Sequence, residues 1–275
     1  MNRNKVAAIQ MASGPNVKAN LFEAERLIGA AVAAGAGLVV LPENFAIMGL
    51  SEQDKIEVRE RPGEGPIQAF LSQQASKHAV WIVGGTIPLE AQAADKIRAA
   101  ALLFDDQGRQ VARYDKIHLF DVSLDGGEKY TESETIESGD ETVVVDTPFG
   151  RLGLAVCYDL RFPEQFRNML DEGMEVLALP SAFTAITGRA HWEVLVRARA
   201  IENLCYVIAA DQGGYHINGR ETHGDSMVID PWGVVLDRLP RGSGVVVAEI
   251  DRERLANIRR SLPAIAHRRI GCAVQ

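Results

Sequence analysis

The residue that most directly suggests chemistry in this chain is Cys157. A short apolar run, Leu152–Val156, leads into it, and Pro163 follows at a position typical of the first turn of a helix. A thiol on the turn between a buried strand and a helix is held rigidly, and the N–H groups of the turn can face the reacting atom. Cys157 is therefore either a catalytic nucleophile or a buried small hydrophobic residue, the more common role of a free cysteine.

Two further reactive side chains also follow strand-like runs. Glu43 comes after Leu38–Leu41, and Lys116 comes just after Gln110–Tyr114. Because ligand sites in α/β sheets gather beyond the carboxyl ends of strands, we expect Glu43, Lys116 and Cys157 to meet in space. A carboxylate can take the proton of a thiol, and an ammonium can stabilise the oxyanion formed when the thiolate attacks a carbonyl. Taken singly, Glu43 also fits an exposed turn, and Lys116 fits a solvated charge.

Three segments that contain these residues resemble the signature segments of the nitrilase, or carbon–nitrogen hydrolase, superfamily. They are Pro42-Glu43, Tyr114–Phe120 and Leu154–Glu164, and the resemblance extends from about Lys5 to His267. It implies an α/β fold, a four-layer α-β-β-α sandwich, and a triad of Glu43, Lys116 and Cys157 that needs no metal or organic cofactor. The resemblance also implies a second catalytic glutamate beyond the lysine segment. Alignment favours Glu132 for it, which leaves Glu128 as a surface charge.

Within the superfamily, the chain is most similar to the deaminated glutathione amidase branch. The segments that carry this likeness are Pro180–Phe183, Thr187-Gly188, Ala190–Glu202, Gly224–Gly233 and Leu262–Arg269. The similarity implies a cysteine-dependent amidase that forms a thioester and converts deaminated glutathione to 2-oxoglutarate and cysteinylglycine.

Other functions stay open on the sequence alone. The ω-amidases that act on 2-oxoglutaramate are similar in the triad segments, but they tend to have Pro-Gly-Ala-Phe where this chain has Pro180–Phe183. Hydrolysis of N-carbamoyl compounds or of nitriles is a further alternative. A catalytically silent binding protein on the same fold is the alternative outside enzymes, and the intact triad argues against it.

Residues near the nucleophile are predicted to bind the substrate. Arg161 lies on the same turn as Cys157, and a resemblance to carbamoyl-amino-acid hydrolases implies a carboxylate-binding arginine there, a role that suits its bidentate geometry. The superfamily resemblance implies that the backbone N–H of Tyr158 helps to hold the oxyanion. Phe183 and Thr187 are predicted to line the same pocket. The small residues at 184–188 would leave room for a peptide tail, although a tight loop needs the same residues.

Several other side chains fit structural roles better than catalytic ones. His118 follows Lys116 closely, but the local signature of papain-type proteases is missing around Cys157. Trp192, next to His191, falls at helical spacing with other apolar residues, so it is a candidate either for the pocket or for the core. The residues for which ion pairing or packing is favoured are Arg197, Arg199, Cys205 and Cys272.

Composition limits the class of protein. The 275 residues are 47% hydrophobic, with a net charge of −8 and a pI near 5.3, which argues against nucleic acid or an anionic membrane surface as a partner. The most apolar run, residues 28–41, is broken by glycine and too short to span a bilayer. The start of the chain shows no signal peptide, and its three cysteines are widely spaced, so we expect a reducing, cytoplasmic compartment.

No internal repeat or linker divides the chain, so we expect a single domain over residues 1–275, with a core over 5–250 and a C-terminal helix and tail over 251–275. The pattern of βα units followed by hairpins predicts two mixed sheets packed together with helices outside. Helices are predicted after Asn16, over 66–77, 166–172 and 191–204, and after Asp251. No glycine-rich phosphate motif follows a strand. The superfamily resemblance implies a homodimer or a larger homo-oligomer.

Overall fold

The computed structural model describes residues 4–123 and 129–271. Its helices begin after capping residues that the sequence indicates: Asn16 accepts a hydrogen bond from the N–H of Ala19 at 3.1 Å, and Asp251 accepts one from Arg254 at 2.9 Å. The helices are α1 (Val17–Ala33), α2 (Asp54–Glu57), α3 (Pro66–His78), α4 (Pro163–Asp171), α5 (Ala185–Asn203) and α6 (Arg252–Ser261). Two 3₁₀ helices cover Glu132–Glu134 and Cys157–Arg161.

The strands are short and mostly buried, as expected for sheets covered on both faces. They are β1 (Lys5–Gln10), β2 (Leu38–Val40), β3 (Trp81–Val83), β4 (Ile87–Glu90), β5 (Ile97–Phe104), β6 (Gln110–Asp115), β7 (Asp121–Ser123), β8 (Lys129–Thr131), β9 (Val143–Thr147), β10 (Gly150–Leu154), β11 (Val176–Ser181), β12 (Tyr206–Asp211), β13 (Gly213–Tyr215), β14 (Glu221–His223), β15 (Ser226–Ile229), β16 (Val235–Leu239) and β17 (Gly244–Glu249).

Two mixed sheets form the body of the molecule. In the first, β1, β2 and β3 run parallel, β17 pairs antiparallel with β1, and β5 pairs antiparallel with β3, β4 and β6. In the second, the order is β16-β15-β12-β11-β10-β9, with β10, β11 and β12 parallel. Parallel strands in both sheets therefore end at carboxyl edges where loops collect.

Successive side chains along each strand point to opposite faces of the sheet, and this divides the core into layers. In β1, Val6 and Ala8 face the second sheet, whereas Ala7 and Ile9 face the cluster that contains the buried side of α1. The other face of the second sheet packs against α4 and α5, through residues such as Phe166 and Trp192. This arrangement confirms the predicted α-β-β-α sandwich. No helix in residues 4–123 and 129–271 combines the length and apolar character needed to cross a bilayer.

The sequence prediction was wrong about the start of α5. We placed that start at His191, but α5 begins at Ala185, because Thr184 accepts a hydrogen bond from the N–H of Thr187 and caps the helix. Gly188, which suggested a loop, lies inside the helix, where a Cβ would come within 2.3 Å of His223. The helix needs this glycine because β14 lies so close to it.

Candidate active site

Cys157 lies where the second sheet ends, three residues beyond the last residue of β10, at the start of the 3₁₀ helix Cys157–Arg161. Its φ of +46° is in the left-handed region, which costs a residue other than glycine roughly 1–2 kcal/mol. Its side chain is nearly buried, with 8% exposed. Such strain persists only where the surroundings hold the backbone, and it is typical of functional sites.

Glu43 follows β2 in the first sheet and is held by residues from both sheets. Gln212, just beyond β12, donates to the carbonyl of Glu43 at 3.0 Å and to the hydroxyl of Ser13 at 2.8 Å. Asn44, next to Glu43, has a φ of +57° and its N–H donates to Thr86 at 2.9 Å. These contacts between the two sheets therefore fix the backbone at Glu43, from which its carboxylate reaches Lys116.

Lys116 joins the two glutamates. Its Nζ donates to Glu43 Oε1 at 2.8 Å and to the two oxygens of Glu132 at 3.0 and 2.7 Å, and its side chain is fully buried. Glu132 also accepts the N–H of Phe120 at 2.8 Å. Of the two glutamates considered for this place, Glu132 contacts Lys116, whereas Glu128 lies outside the described residues.

These contacts shift the pKa values of Lys116 and Glu132. Burial opposes the ammonium, but Glu132 and Glu43 outweigh it and raise the pKa of Lys116 well above its ordinary 10.5. Burial likewise opposes the Glu132 carboxylate, but Lys116 lowers the pKa of Glu132 below its ordinary value. Lys116 is therefore a fixed cation suited to stabilising negative charge, and it is unsuited to accepting a proton.

The thiol of Cys157 lies in the field of both groups. Burial, and then the Glu43 carboxylate, raise the pKa of Cys157 well above 9.0, while Lys116 and the N–H of Ala182 act in the opposite direction. The resting group is thus a neutral thiol. A nucleophilic reaction at this sulfur needs a base in contact with the same cavity, and Glu43 meets that requirement.

Asp159 ties the nucleophile turn to the lysine segment. Its carboxylate accepts the N–H of Val156 at 2.8 Å and the hydroxyl of Tyr114 at 2.6 Å, and it also bonds His118 through the N–H at 3.1 Å and Nδ1 at 2.8 Å. The ring of His118 stacks on Phe162 with 3.7 Å between centroids. His118 therefore occupies a structural position, as the sequence favoured.

A narrow cavity lies in front of Cys157, with about 280 Å³ of space between atoms when open solvent is included and about 10 Å³ that the centre of a water molecule can occupy. Its walls include both glutamates and all four residues predicted to bind substrate, namely Tyr158, Arg161, Phe183 and Thr187. The guanidinium of Arg161 lies 5.9 Å from the ring centroid of Tyr158 and 5.3 Å from that of Phe183, and one of its nitrogens lies 3.2 Å from His191 Nδ1. The structure thus brings the predicted binding residues to one place.

Comparison with known proteins shows which family has this arrangement. The carbon-nitrogen hydrolase family model matches residues 5–260. This chain belongs to the carbon–nitrogen hydrolase family. A Synechocystis protein named deaminated glutathione amidase is 46% identical over 265 residues, which are 95% of this chain and 97% of that protein.

Two other comparisons give the same picture. A Yersinia enterocolitica protein, also named deaminated glutathione amidase, is 41% identical over 271 residues, 98% of this chain and 94% of that protein. The crystal structure of Saccharomyces cerevisiae Nit3, described as a member of branch 10 of the nitrilase superfamily, has a TM-score of 0.87 and 32% identity. The match covers 97% of this chain and 96% of that one.

Sequence reasoning missed one cation of this carbon–nitrogen hydrolase. Arg220 lines the cavity from the loop between β13 and β14, and it donates to the carbonyl of Ala182 at 2.7 Å. Asn218-Gly219 before it indicates a turn, so Arg220 resembles a solvated charge at a hairpin tip. Only the packing of that hairpin against the Ala182 loop brings Arg220 into the site.

Other residues singled out in the sequence take structural positions in the hydrolase. Trp192 is fully buried behind Phe183, and its indole donates to the carbonyl of Asp225 at 2.8 Å. Arg199 donates to the carbonyl of Leu160 and pairs with Glu202 at 2.5 Å. The remaining ones are Arg197, which donates to the carbonyl of Gly233, and Cys205, which is buried; Cys272 lies outside the described residues.

Proposed function

We propose that this carbon–nitrogen hydrolase is a cysteine amidase that acts on deaminated glutathione and releases 2-oxoglutarate and cysteinylglycine. The observation that carries the proposal is the buried contact of Lys116 with Glu43 and Glu132, the two carboxylates that line the same cavity as Cys157. The relatives named deaminated glutathione amidase support the choice of substrate.

In the first half of the reaction, Glu43 takes the proton of the Cys157 thiol and the sulfur attacks the amide carbon. Negative charge develops on the carbonyl oxygen, where Lys116 and the backbone N–H of Tyr158 stabilise it. Glu43 then gives the proton to the departing nitrogen. The carbon–nitrogen bond breaks, cysteinylglycine leaves, and the 2-oxoglutaryl group remains as a thioester.

In the second half, water replaces the amine. Glu43 takes a proton from the water, Glu132 and Lys116 hold the water in position, and the hydroxyl attacks the thioester carbon. The carbon–sulfur bond then breaks, the proton returns to the sulfur, and 2-oxoglutarate leaves. None of these steps uses a cofactor.

Arg161 is the residue we propose for the 2-oxo acid carboxylate. It follows the nucleophile on the same 3₁₀ helix and lines the inner cavity between Tyr158 and Phe183. Phe183 and Thr187 complete that side of the site. Arginine suits the task because its planar group can bind a carboxylate through two parallel hydrogen bonds.

The test is a comparison of kcat/KM for deaminated glutathione and 2-oxoglutaramate, since that ratio measures discrimination. We expect a preference for deaminated glutathione, with both activities lost in Arg161→Ala while Cys157 still reacts with a thiol label. Arg197→Ala, on the outer side of α5, is the matched control and should keep both activities. A clear preference for 2-oxoglutaramate would instead identify an ω-amidase.

We further propose that the chain acts as one domain, in the cytoplasm, as a homodimer or larger assembly. Exposed apolar side chains near α5, at Val194, Ile201, Trp232 and Val234, support self-association, because such groups gain from burial. Light scattering combined with size-exclusion chromatography tests the assembly, and a monomer at micromolar concentration would contradict it.

A further inference from the structure

Arg220 has an unusual environment for an arginine. Its Nε is buried, and no hydrogen-bond partner for this atom lies among the described residues. No carboxylate of that part of the chain forms an ion pair with its guanidinium, which instead lies 5.1 Å from the ring centroid of Tyr130. A buried donor without a partner costs free energy unless a ligand satisfies it.

Arg220 also stands at the junction of two cavities. It lines the inner cavity with Cys157, and it lines a larger outer cleft with about 1070 Å³ of empty space, much of it open to solvent. Phe120 and Glu132 are shared by both cavities in the same way, whereas Arg161 lines the inner cavity alone. The two arginines therefore reach different parts of a substrate that extends outward from Cys157.

The acidic groups of the outer cleft already have cationic partners. Glu52 pairs with Lys55 at 2.7 Å, and Glu132 pairs with Lys116. Lys129, another cation of the cleft, is exposed, so solvent screens its attraction for an anion. Among the described residues of the cleft, Arg220 is the half-buried cation without an ion-pair partner, so its guanidinium can bind an incoming carboxylate.

The proposed substrate carries two carboxylates, one on each side of its scissile amide. The 2-oxo acid head stays on the enzyme as the thioester, whereas the cysteinylglycine tail departs and ends in a free carboxylate. Two residues extend at most about 7 Å, at about 3.3–3.6 Å each, so the tail carboxylate must bind close to the reaction cavity. Thr184 and Thr187 line the inner cavity, with about 280 Å³ of space, whereas the outer cleft has about 1070 Å³ and so offers the tail more room.

We propose that Arg220 binds the carboxylate at the end of the leaving group and makes the enzyme selective for amides with a short peptide tail. The inference rests on the proposed function and extends it: Arg161 holds the head, and the guanidinium of Arg220 holds the tail. Small monoamides such as 2-oxoglutaramate have no tail carboxylate and do not use this contact.

The experiment compares Arg220→Gln with the wild-type enzyme on three substrates: deaminated glutathione, the same compound with its terminal carboxylate converted to an amide, and 2-oxoglutaramate. Glutamine removes the charge and, being shorter, also the contact of the guanidinium with the carbonyl of Ala182, so the two substrates without a tail carboxylate measure the effect of losing that contact alone. We expect kcat/KM for deaminated glutathione to fall by about 10- to 100-fold, the range for a hydrogen bond to a charged group. The other two substrates should be affected far less.

Capping the tail should lower kcat/KM of the wild-type enzyme by a similar factor and change little in Arg220→Gln, since the two alterations remove the same contact. Arg61→Gln, which removes an exposed arginine that pairs with Glu90 outside both cavities, is the control for a general loss of charge and should leave all three rates near their wild-type values. Arg220→Lys, which keeps the charge, should retain part of the preference.

The outcomes separate this inference from the proposed function. An equal fall on all three substrates would show that Arg220 only positions the Ala182 loop, and it would overturn the tail site alone. A wild-type enzyme that hydrolyses 2-oxoglutaramate but not deaminated glutathione would overturn both the proposed substrate and the tail site.

Discussion

At the scale of single residues, Cys157 is held in a state that opposes its own reactivity. Its backbone has a left-handed φ, and its pKa is raised by burial and by Glu43. Both features become useful only when a substrate enters, because the backbone strain places the sulfur at the cavity and Glu43 can accept the proton as the new bond forms. Thiol reagents are therefore expected to label Cys157 of the free enzyme slowly at neutral pH and faster as the pH rises.

Two substitutions at Cys157 distinguish the role of its thiol in turnover from the effect of its backbone strain on stability. Cys157→Ala and Cys157→Gly should both abolish turnover, but the glycine variant should be more stable by about 0.5–1 kcal/mol, because glycine adopts a positive φ without steric cost. Urea unfolding measures the difference. Cys205 is buried and has an ordinary backbone conformation, so there the alanine variant should be more stable than the glycine variant. Cys205→Ala should also keep most activity. Equal stabilities of the two Cys157 variants would show that the turn is not strained.

Glu43→Gln should change turnover and thiol reactivity in opposite directions. Turnover should fall by about 10²–10⁴-fold, the usual loss for a general base. The Glu43 carboxylate raises the pKa of Cys157, so its removal should lower that pKa and move the alkylation–pH profile to lower pH. The pH dependence of iodoacetamide labelling measures this shift, and an unchanged or higher profile would mean that Glu43 does not face the sulfur.

Glu132→Gln is the matched comparison. This substitution should also cripple turnover, because Glu132 positions Lys116, but it should move the alkylation profile less, since Glu132 contacts the lysine and not the thiol. Glu128→Gln should be nearly silent. An inactive Glu128 variant beside an active Glu132 variant would show that Glu128 holds the second carboxylate position.

At the scale of elements, the site depends on the clamp that Asp159 forms between the nucleophile turn and the lysine segment. The buried carboxylate accepts the N–H of Val156 from the turn, and it accepts the hydroxyl of Tyr114 and the N–H of His118 from the lysine segment. Asp159→Ala should therefore cost about 3 kcal/mol or more, since several buried donors lose their partner. Thermal unfolding and kcat measure the effects, and we expect both to fall. Asp146→Ala, at a side chain that is 87% exposed, should change neither.

A fall in stability without a fall in kcat would show that Asp159 stabilises the fold but does not affect catalysis. That outcome would mean that the turn holding Cys157 keeps its shape without the clamp. A loss of both, with Asp146→Ala unchanged, would mean that the clamp also sets the distance between the nucleophile and Lys116.

At the scale of the whole molecule, the seam between the sheets carries a buried acid, Asp211, at the end of β12. It accepts the N–H of Phe183 at 2.9 Å, and its other oxygen has no partner among the described residues. Burial raises the pKa of Asp211 well above 3.8. The folded protein therefore keeps a proton that the unfolded chain releases near pH 4, so this residue makes the protein less stable as the pH rises from about 4 toward its folded pKa.

Asp211→Asn should remove that dependence. Relative to wild type, the free energy of unfolding of the variant should rise between pH 4 and pH 8, because asparagine stays neutral in both states. Urea unfolding at the two pH values measures it, with Asp146→Asn as the exposed control. A variant that loses more stability at pH 8 than at pH 4 would show that Asp211 is ionised in the folded protein.

The amino-acid sequence was enough to identify the family and to predict Glu43, Lys116 and Cys157 as the candidate triad. Glu43, Lys116 and Cys157 each follow a strand, and short stretches of chain around them are enough to identify them. Arg161 and Tyr158 follow from the same stretch as Cys157, because neighbours on one turn share one cavity. Helix caps such as Asn16 and Asp251 were also readable, since capping depends on residues within a single turn.

Only the tertiary structure decided the parts that depend on distant segments. The clamp joins Asp159 to Tyr114, and the Arg220 contact joins one hairpin to the loop after β11. The buried Nε of Arg220, which has no hydrogen-bond partner among the described residues, and the raised pKa of Asp211 both follow from burial between elements, which no local pattern reports. A charged side chain in a turn usually points to solvent, whereas here the packing of the hairpin against the loop after β11 shields part of the Arg220 side chain from solvent.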